Sequence, residues 1–223
     1  MTVIPWEVRN LHTNSRYLHA LKRSLSLSDL QKRVLYGTLM GDGCLIPNAS
    51  GNDYRLQIEQ NARQKEYVFW KYEMFKNFVI SPPRHIPSVN SWKFRTLTHR
   101  DFFLVRRKFY RNGKKILPND LSFLVDPMAL AVWFMDDGCY AHQKDGRPKG
   151  YILNTQNFTL AENERLREFL TCAFGLRTSL HRDKKYYRLY IGKNSMLNFQ
   201  HLFDSKLQPS MLYKLWSSNP VET

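Results

Sequence analysis

Leu35-Tyr36-Gly37-Thr38-Leu39-Met40-Gly41-Asp42-Gly43 is an apolar run that ends in Asp-Gly, and Leu130-Ala131-Val132-Trp133-Phe134-Met135-Asp136-Asp137-Gly138 is a second. Their last aspartates lie 137 − 42 = 95 residues apart in a chain of 223. Each run reads as a helix, and the pair predicts a duplicated unit with one such helix per half. Ser28 caps the first helix, and Gln31 completes a capping-box pattern. Leu30, Val34, Leu35 and Leu39 recur at helical spacing. Gly37 and Gly41 share a face on which a partner helix can approach closely, which offsets the roughly 1 kcal/mol that each helical glycine costs relative to alanine. Gly43 is expected to end the helix as its C-terminal stop. In the second run Asp126 is the cap and Pro127 takes the first helical position, where a missing N–H does no harm.

Asp42 and Asp137 stand at the wrong ends of these helices. A helix C-terminus carries partial negative charge, so a carboxylate there is destabilising. One Asp-Gly is an ordinary turn. Two, at matching positions of two repeats, are better explained by a bound cation.

The segments between the motifs repeat as well. After a turn marked by Asn48, Ser50, Gly51 and Asn52, apolar Tyr54, Leu56 and Ile58 alternate with Arg55, Gln57 and Glu59. An aromatic helix over about 63–79 is expected in the core, stopped by Ser81-Pro82-Pro83. Trp92, Phe94 and Thr96 then alternate with Lys93 and Arg95, and Thr98 with Asp101 starts a helix running to about Tyr110. Residues 112–118 read as a basic loop. In the second half Asp145-Gly146 is a hairpin turn, 151–155 a strand, 161–174 a helix stopped by Gly175, 184–191 a strand and 195–203 a helix. On the later strand Lys184, Tyr186, Arg188 and Tyr190 face the polar side. Trp92 is 92 − 42 = 50 residues past Asp42 and Tyr187 is 187 − 137 = 50 past Asp137, so Lys93 matches Arg188. Gln60 follows its aspartate by 18 and Gln156 by 19 (60 − 42 and 156 − 137). The expected organisation is a basic arm over 1–25, holding Arg9, His12, Arg16 and Lys22, a first repeat over 26–120 and a second over 121–223.

A net charge of +15 and a pI near 9.8 select nucleic acid as first partner and an anionic membrane surface as second. The basic residues are spread over folded segments, which favours a wide binding surface. No apolar run approaches the ~18 residues of a membrane span, and the first ten residues lack a secretory core. Cys44, Cys139 and Cys172 have no metal-site spacing and point to a reduced, intracellular setting, in an organelle or the bacterial cytoplasm, with Cys44 and Cys139 as small fillers in packed turns. His12, His19, His85, His99, His142, His181 and His201 show no zinc-like spacing and read as ordinary surface or interface residues.

Two like halves imply a pseudo-twofold axis, with the glycine-faced helices packed along it and Asp42 and Asp137 brought together. The sheets would form one basic surface able to enter a major groove. Paired carboxylates suit Mg²⁺, which binds between carboxylates and substrate phosphates. One aspartate per half suggests one cut per strand.

Both nonapeptides resemble the motif of the LAGLIDADG homing endonucleases. Trp133 to Gly138, Leu153-Asn154-Thr155-Gln156, Ser81-Pro82-Pro83 and Met211-Leu212-Tyr213-Lys214-Leu215 are similar to the two-motif, monomeric members encoded in group I introns. The resemblance implies an α+β fold of two pseudo-symmetric αββαββα repeats, with a saddle of antiparallel β-sheets facing double-stranded DNA. It implies a metal-dependent, staggered double-strand break. Asp42 and Asp137 would hold the Mg²⁺, aided by the backbone carbonyls of Gly41 and Asp136. Lys115 and Lys214 would serve the nucleophilic water or the transition state, and Gln60 and Gln156 would order water at the scissile phosphate. Strand alternation offers Arg55, Gln57, Glu59, Lys93, Arg95, Lys184, Tyr186, Arg188 and Tyr190 as DNA contacts. Val132 replaces the first motif glycine in the second repeat, and Asp136 stands where a small residue is usual. Asp136 reads either as an exposed neighbour or as a partner of the ligands. The rival readings are an RNA maturase that assists its host intron, and a cleavage-dead DNA-binding regulator of the same fold.

Overall fold

The computed structural model describes residues 16–216. Arg9 and His12 of the basic arm lie outside them. The chain divides into two compact units between Phe109 and Tyr110, earlier than the repeat boundary at 120 expected from motif spacing.

The described part of the first unit begins with helix α1 (Arg16–Ser24), which lies within the basic arm expected over 1–25. Leu18 is fully buried against Leu97, Lys22 Nζ donates to Thr98 Oγ1 at 2.9 Å, and the Lys22 carbonyl lies 2.9 Å from His99 Nε2. The motif helix α2 (Asp29–Met40) follows, and its capping box forms as expected, with Ser28 Oγ accepting from Gln31 N and Gln31 Oε1 from Ser28 N. Strands β1 (Cys44–Pro47) and β2 (Tyr54–Asn61), helix α3 (Lys65–Phe75), strands β3 (Arg84–Ile86) and β4 (Ser91–Arg95), and helix α4 (Arg100–Phe109) complete the unit. The strands form one antiparallel sheet in the order β1-β2-β4-β3. Leu56, Ile58 and Phe94 turn inward onto the aromatic helix, whose Tyr67, Tyr72 and Phe75 are buried.

The second unit starts with a hairpin of β5 (Tyr110–Arg111) and β6 (Lys114–Lys115) rather than a loop. Asn112 (φ 49°) and Gly113 (φ 77°) both take left-handed backbone, the Asn-Gly turn whose twist suits antiparallel strands. Leu117 N donates to Glu162 Oε1 at 2.9 Å and Arg165 Nη2 to the Pro118 carbonyl at 3.0 Å, which ties this segment to α6 (Leu160–Phe174). The second motif helix, α5 (Pro127–Asp137), has Asp126 Oδ1 accepting from Met128 N and Ala129 N. Strands β7 (Gly138–His142), β8 (Pro148–Leu153), β9 (Thr178–Asp183) and β10 (Tyr186–Gly192) form the second sheet, β7-β8-β10-β9, again antiparallel. Helix α7 (Met196–His201) closes its core. Phe134 is the hub, with ring centroids 5.2 Å from Tyr151 and 4.9 Å from Phe203. Lys184 is not on the strand face. It sits with Lys185 in the β9–β10 turn at φ 56°.

The two sheets share one register. Cys44 pairs with Gln57 and Cys139 with Ile152, so 139 − 44 = 95 and 152 − 57 = 95, the spacing of the motif aspartates. Gln57 pairs with Arg95 and Ile152 with Tyr190, again 95 apart. Position by position, Lys93 therefore matches Arg188, as expected. Gln60 matches Thr155 rather than Gln156, and burial agrees: Gln60 and Thr155 are buried, Asn61 is exposed and Gln156 is only half-buried.

Gly43 and Gly138 stand where a side chain would meet the last turn of their own motif helices, and Gly138 is also the C-cap of α5. The first helix stops at Met40, and Gly43 follows the Gly41-Asp42 turn with its N–H bonded to the Thr38 carbonyl at 2.9 Å. A Cβ on Gly43 would lie 2.2 Å from Thr38 Cγ2, and one on Gly138 would lie 2.5 Å from the Phe134 carbonyl oxygen and 2.2 Å from its ring. Gly43→Ala and Gly138→Ala should each lower the thermal midpoint, on the scale of the ~1–3 kcal/mol seen for overpacked sites. Gly138→Ala should lose more, because a threonine methyl can rotate away and a helix carbonyl cannot. Equal midpoints for both variants and the parent would overturn this account of the two glycines.

Candidate active site and nucleic-acid interface

In the first unit Asp42 is exposed, one residue beyond the motif helix cap. Gln60 reaches it from the inner face of β2, with Nε2 donating to Asp42 Oδ2 at 3.1 Å. Being 4% exposed, Gln60 is held by its strand, so its amide fixes the carboxylate instead of following it.

The second unit anchors its aspartate differently. Asp137 is the last residue of α5, and its backbone carbonyl accepts from Asn154 N at 3.0 Å and from Asn154 Nδ2 at 2.9 Å. Lys214 Nζ donates to the carbonyls of Met135 and, at 3.0 Å, Asp136. The last carbonyls of a helix have no intrahelical partner, and a cation there opposes the negative end of the dipole. Lys214 does both for the helix that ends in two aspartates. Asp136 is 7% exposed, which removes the reading of it as an exposed neighbour.

Gln156 is not on Asp137. Its Nε2 lies 3.3 Å from Asp183 Oδ2 and 3.5 Å from Asn154 Oδ1. Lys115 is on β6, where it pairs with Tyr110, and belongs to the second unit with Lys214. Cys139 is half-buried, and burial pushes its thiol up against the lowering effect of Lys214 and Arg188, which suits a packed filler and not a thiolate nucleophile.

The donor chemistry has a clear preference among metals. No three His, Cys, Asp or Glu side chains converge among the described residues. Each unit offers one motif carboxylate beside backbone carbonyls, an all-oxygen set. Zinc asks for a closed nitrogen or sulfur shell, whereas Mg²⁺ keeps waters and takes one or two carboxylates with substrate phosphates. The residues present fit the second kind of ion.

The outer face of the first sheet carries Arg55, Gln57 and Glu59 on β2 opposite Lys93 and Arg95 on β4. Glu59 accepts from Lys93 Nζ at 2.7 Å and from Ser91 Oγ at 2.9 Å, and these two bonds hold its carboxyl below the usual range. Beside it runs a groove of about 860 Å³ lined by His19, Lys22, Arg55, Arg84, Lys93 and Arg95, with Asp53 as its acid. Burial, joined by the neighbouring charge of Arg95, pushes the Arg55 guanidinium below its ordinary value, and Arg55 Nε is buried with no partner among the described residues. Burial likewise lowers Lys22. The groove thus concentrates more positive charge than its own acid neutralises, which is the electrostatic demand that a phosphate backbone meets.

On the second sheet Tyr186 is exposed. Arg188 donates through Nε at 3.0 Å and through Nη2 to Asp183 Oδ2, and this contact first, then that of Gln156, keeps the Asp183 carboxyl low. Tyr190 stacks on His181 at 4.4 Å and donates its hydroxyl to the Lys149 carbonyl at 2.7 Å. Arg84, His181, Asp183 and Asn154 were absent from the residues chosen by sequence. His181 and Asp183 lie on β9, an edge strand without clean alternation, and an amide bonded to a backbone carbonyl leaves no sequence signal.

No helix among the described residues is long and apolar enough to cross a membrane. The model of the LAGLIDADG DNA endonuclease family matches residues 32–199. A probable intron-encoded endonuclease of Wickerhamomyces canadensis is 30% identical over 219 residues, covering 94% of each chain. A cytochrome b mRNA maturase, bI2, of Debaryomyces hansenii is 31% identical over 195 residues, 82% of this chain and 72% of the relative. The solved structure of the homing endonuclease I-WcaI bound to its DNA recognition sequence is 29% identical and superposes with a TM-score of 0.87, covering 98% of this chain and all of that one. With two motif helices, two like-registered sheets and a family match over most of its length, the chain belongs to the LAGLIDADG DNA endonuclease family.

Proposed function

We propose that this chain is a site-specific homing endonuclease that hydrolyses one phosphodiester in each strand of a long duplex and leaves a staggered double-strand break. The observation that carries the reading is the presence of both motif aspartates, one per unit, each held where a motif helix passes into its sheet. Binding alone has no use for two carboxylates beside a basic surface. The likeness to DNA-bound I-WcaI over 98% of the chain supports double-stranded DNA as the partner, and a single chain carrying both motifs supports action as a monomer.

Asp42 and Asp137 would each contribute a carboxylate to divalent metal of the Mg²⁺ kind, with the Gly41 and Asp136 carbonyls beside them in their own units. Such an ion supplies Lewis-acid polarisation of the phosphate and an acidified water. The Asp136 carbonyl would share its lone pairs between that ion and Lys214. Gln60 orients the Asp42 carboxylate through one N–H. Lys214 neutralises the helix end that carries Asp137 and stands ready to balance charge developing on a phosphate, and Lys115 is the corresponding cation from the hairpin. Arg55, Gln57, Glu59, Lys93 and Arg95 of the first sheet, with Tyr186, Arg188 and Tyr190 of the second and Lys184 at its turn, would contact the duplex. Most such bonds go to phosphates, with a minority reading base edges.

A second reading has one observation in its favour, the maturase relative at 31% identity. Intron RNA would then use the same basic faces, and cleavage of duplex DNA separates the two activities.

Incubation of the protein with a randomised duplex library, with Mg²⁺ or with EDTA, should yield discrete double-strand breaks at one long site in the first case alone. Tight binding without cuts in either condition would overturn the endonuclease reading. Asp42→Asn and Asp137→Asn should each slow double-strand cleavage by on the order of 10²-fold or more, the scale of losing a group that acts on developing charge, with DNA affinity largely kept. Affinity should fall with salt at a log–log slope of about −5 or steeper, given roughly −0.9 per neutralised phosphate. Glu59→Gln frees Lys93 and should tighten binding to non-specific duplex about threefold at low salt, a gain of the order of one exposed ion pair; unchanged or weaker binding would place this pair away from the duplex.

A further inference from the structure

Asp42 and Asp137 are tethered through different atoms, and the second tether extends well beyond the aspartate. Asn154, one residue past the end of β8, gives two hydrogen bonds to the Asp137 carbonyl. Its own Oδ1 lies 3.5 Å from Gln156 Nε2, which also donates to Asp183 Oδ2 at 3.3 Å. That same oxygen receives both the Nε and Nη2 of Arg188. The sequence Arg188, Asp183, Gln156, Asn154, Asp137 is thus one connected polar chain. It begins on the outer face of the second sheet and ends on the backbone of a motif aspartate. The register gives Glu59 as the counterpart of Asn154 and Lys93 as that of Arg188, since 154 − 59 = 95 and 188 − 93 = 95. Glu59 and Lys93 bond directly to each other, and Asp42 is instead held through its carboxylate by Gln60.

We propose that Asn154, Gln156 and Asp183 are positioning residues that set Asp137 for its strand and couple it to Arg188 on the DNA-contacting face. The proposal rests on the endonuclease reading above. Two features make the coupling physical. Arg188 and Asp183 are each about one-third exposed, at 37% and 31%, so a DNA phosphate or base edge can compete for the guanidinium. The Gln156–Asn154 contact is the longest link, and it loosens or tightens as Asp183 gains or loses its cation. The Asp137 carbonyl lies at the helix end and accepts both Asn154 N and Asn154 Nδ2, so Asn154 orients the peptide that carries the carboxylate.

The test uses supercoiled plasmid bearing the target, a parallel linear duplex of the target end-labelled on one strand or the other, and the variants Asn154→Ala and Asp183→Asn. The second keeps the shape of the side chain, so it reports on the network even where the first is poorly folded. Both should slow cutting of one and the same strand by tenfold or more, leave the other within about twofold, and accumulate nicked circles. Gln60→Ala should slow the opposite strand. A second readout needs no metal. Exchange of the Asn154 amide proton, which bonds the Asp137 carbonyl, should speed up at least fivefold in Asp183→Asn. Equal slowing of both strands, or unchanged exchange with unchanged cutting, would overturn the network while leaving the endonuclease intact. A parent protein that binds duplex but cuts neither strand would overturn both readings.

Discussion

The constraint on which the structure depends is the passage from each motif helix straight into the first strand of its sheet. In the second unit no residue intervenes: Asp137 ends α5 and Gly138 begins β7. In the first, three residues separate Met40 from Cys44, since 44 − 40 − 1 = 3. So abrupt a change from helical to extended backbone leaves no space beside the last helical turn, and the would-be Cβ contacts at Gly43 and Gly138, each 2.2 Å, state how little there is. Everything downstream inherits its position from these junctions. The first strand sets the pairing of the second, that of the second sets the third, and an antiparallel ladder admits no slip of one residue without turning every side chain over. This is why the spacing of the aspartates reappears unchanged in the ladder of both sheets.

Charge is the second organising force. The chain carries 34 lysines and arginines against 19 acids. The acids do not simply dilute that charge. Glu59 is committed to Lys93, Asp183 to Arg188 and Asp145 to Arg147, each at a defined contact. Arg55 is left beside Arg95 in a groove whose cations exceed its acid, and burial first, then the charge of Arg95, depresses its guanidinium. Exposed ion pairs contribute little to stability, so these pairings matter more for which cations are available to a polyanion than for the folding of the sheet.

Much of this was legible beforehand for physical reasons. Capping boxes are local, and Ser28 with Gln31 forms one as read. Gly175 ends α6 in left-handed backbone at φ 65°, which few other residues tolerate. Central strands β2, β4 and β10 alternate because one face is buried, so the outward side of their polar residues can be read from the alternation. Edge strands β1, β3 and β9 are short or lack clean alternation, and β9 with its His181 and Asp183 was missed. Lys184 was read onto a strand because nothing in its type announces left-handed backbone. Gln156 was matched to Gln60 by counting from the motif, and the count fails where β8 ends at Leu153 and the chain leaves the ladder. The pairing of Asn154 with a carbonyl is invisible to any pattern, because a main-chain acceptor has no residue identity.

The miscount at Gln156 bears on how a duplicated fold diverges. Two copies begin with the same ladder, and the ladder preserves which positions face inward. It does not preserve what stands on them. At the inward position shared by Gln60 and Thr155, one half keeps an amide long enough to reach its aspartate and the other keeps a threonine, whose side chain is too short to do so. The second half then holds its aspartate from outside the ladder, through Asn154 on the main chain and Lys214 on the helix end. Substituting a main-chain tether for a side-chain one changes what the aspartate responds to. A carboxylate fixed by a buried glutamine follows its own sheet's core, and a peptide fixed by a half-exposed network follows whatever occupies the outer face. Sequence symmetry in the motifs therefore coexists with structural asymmetry around them.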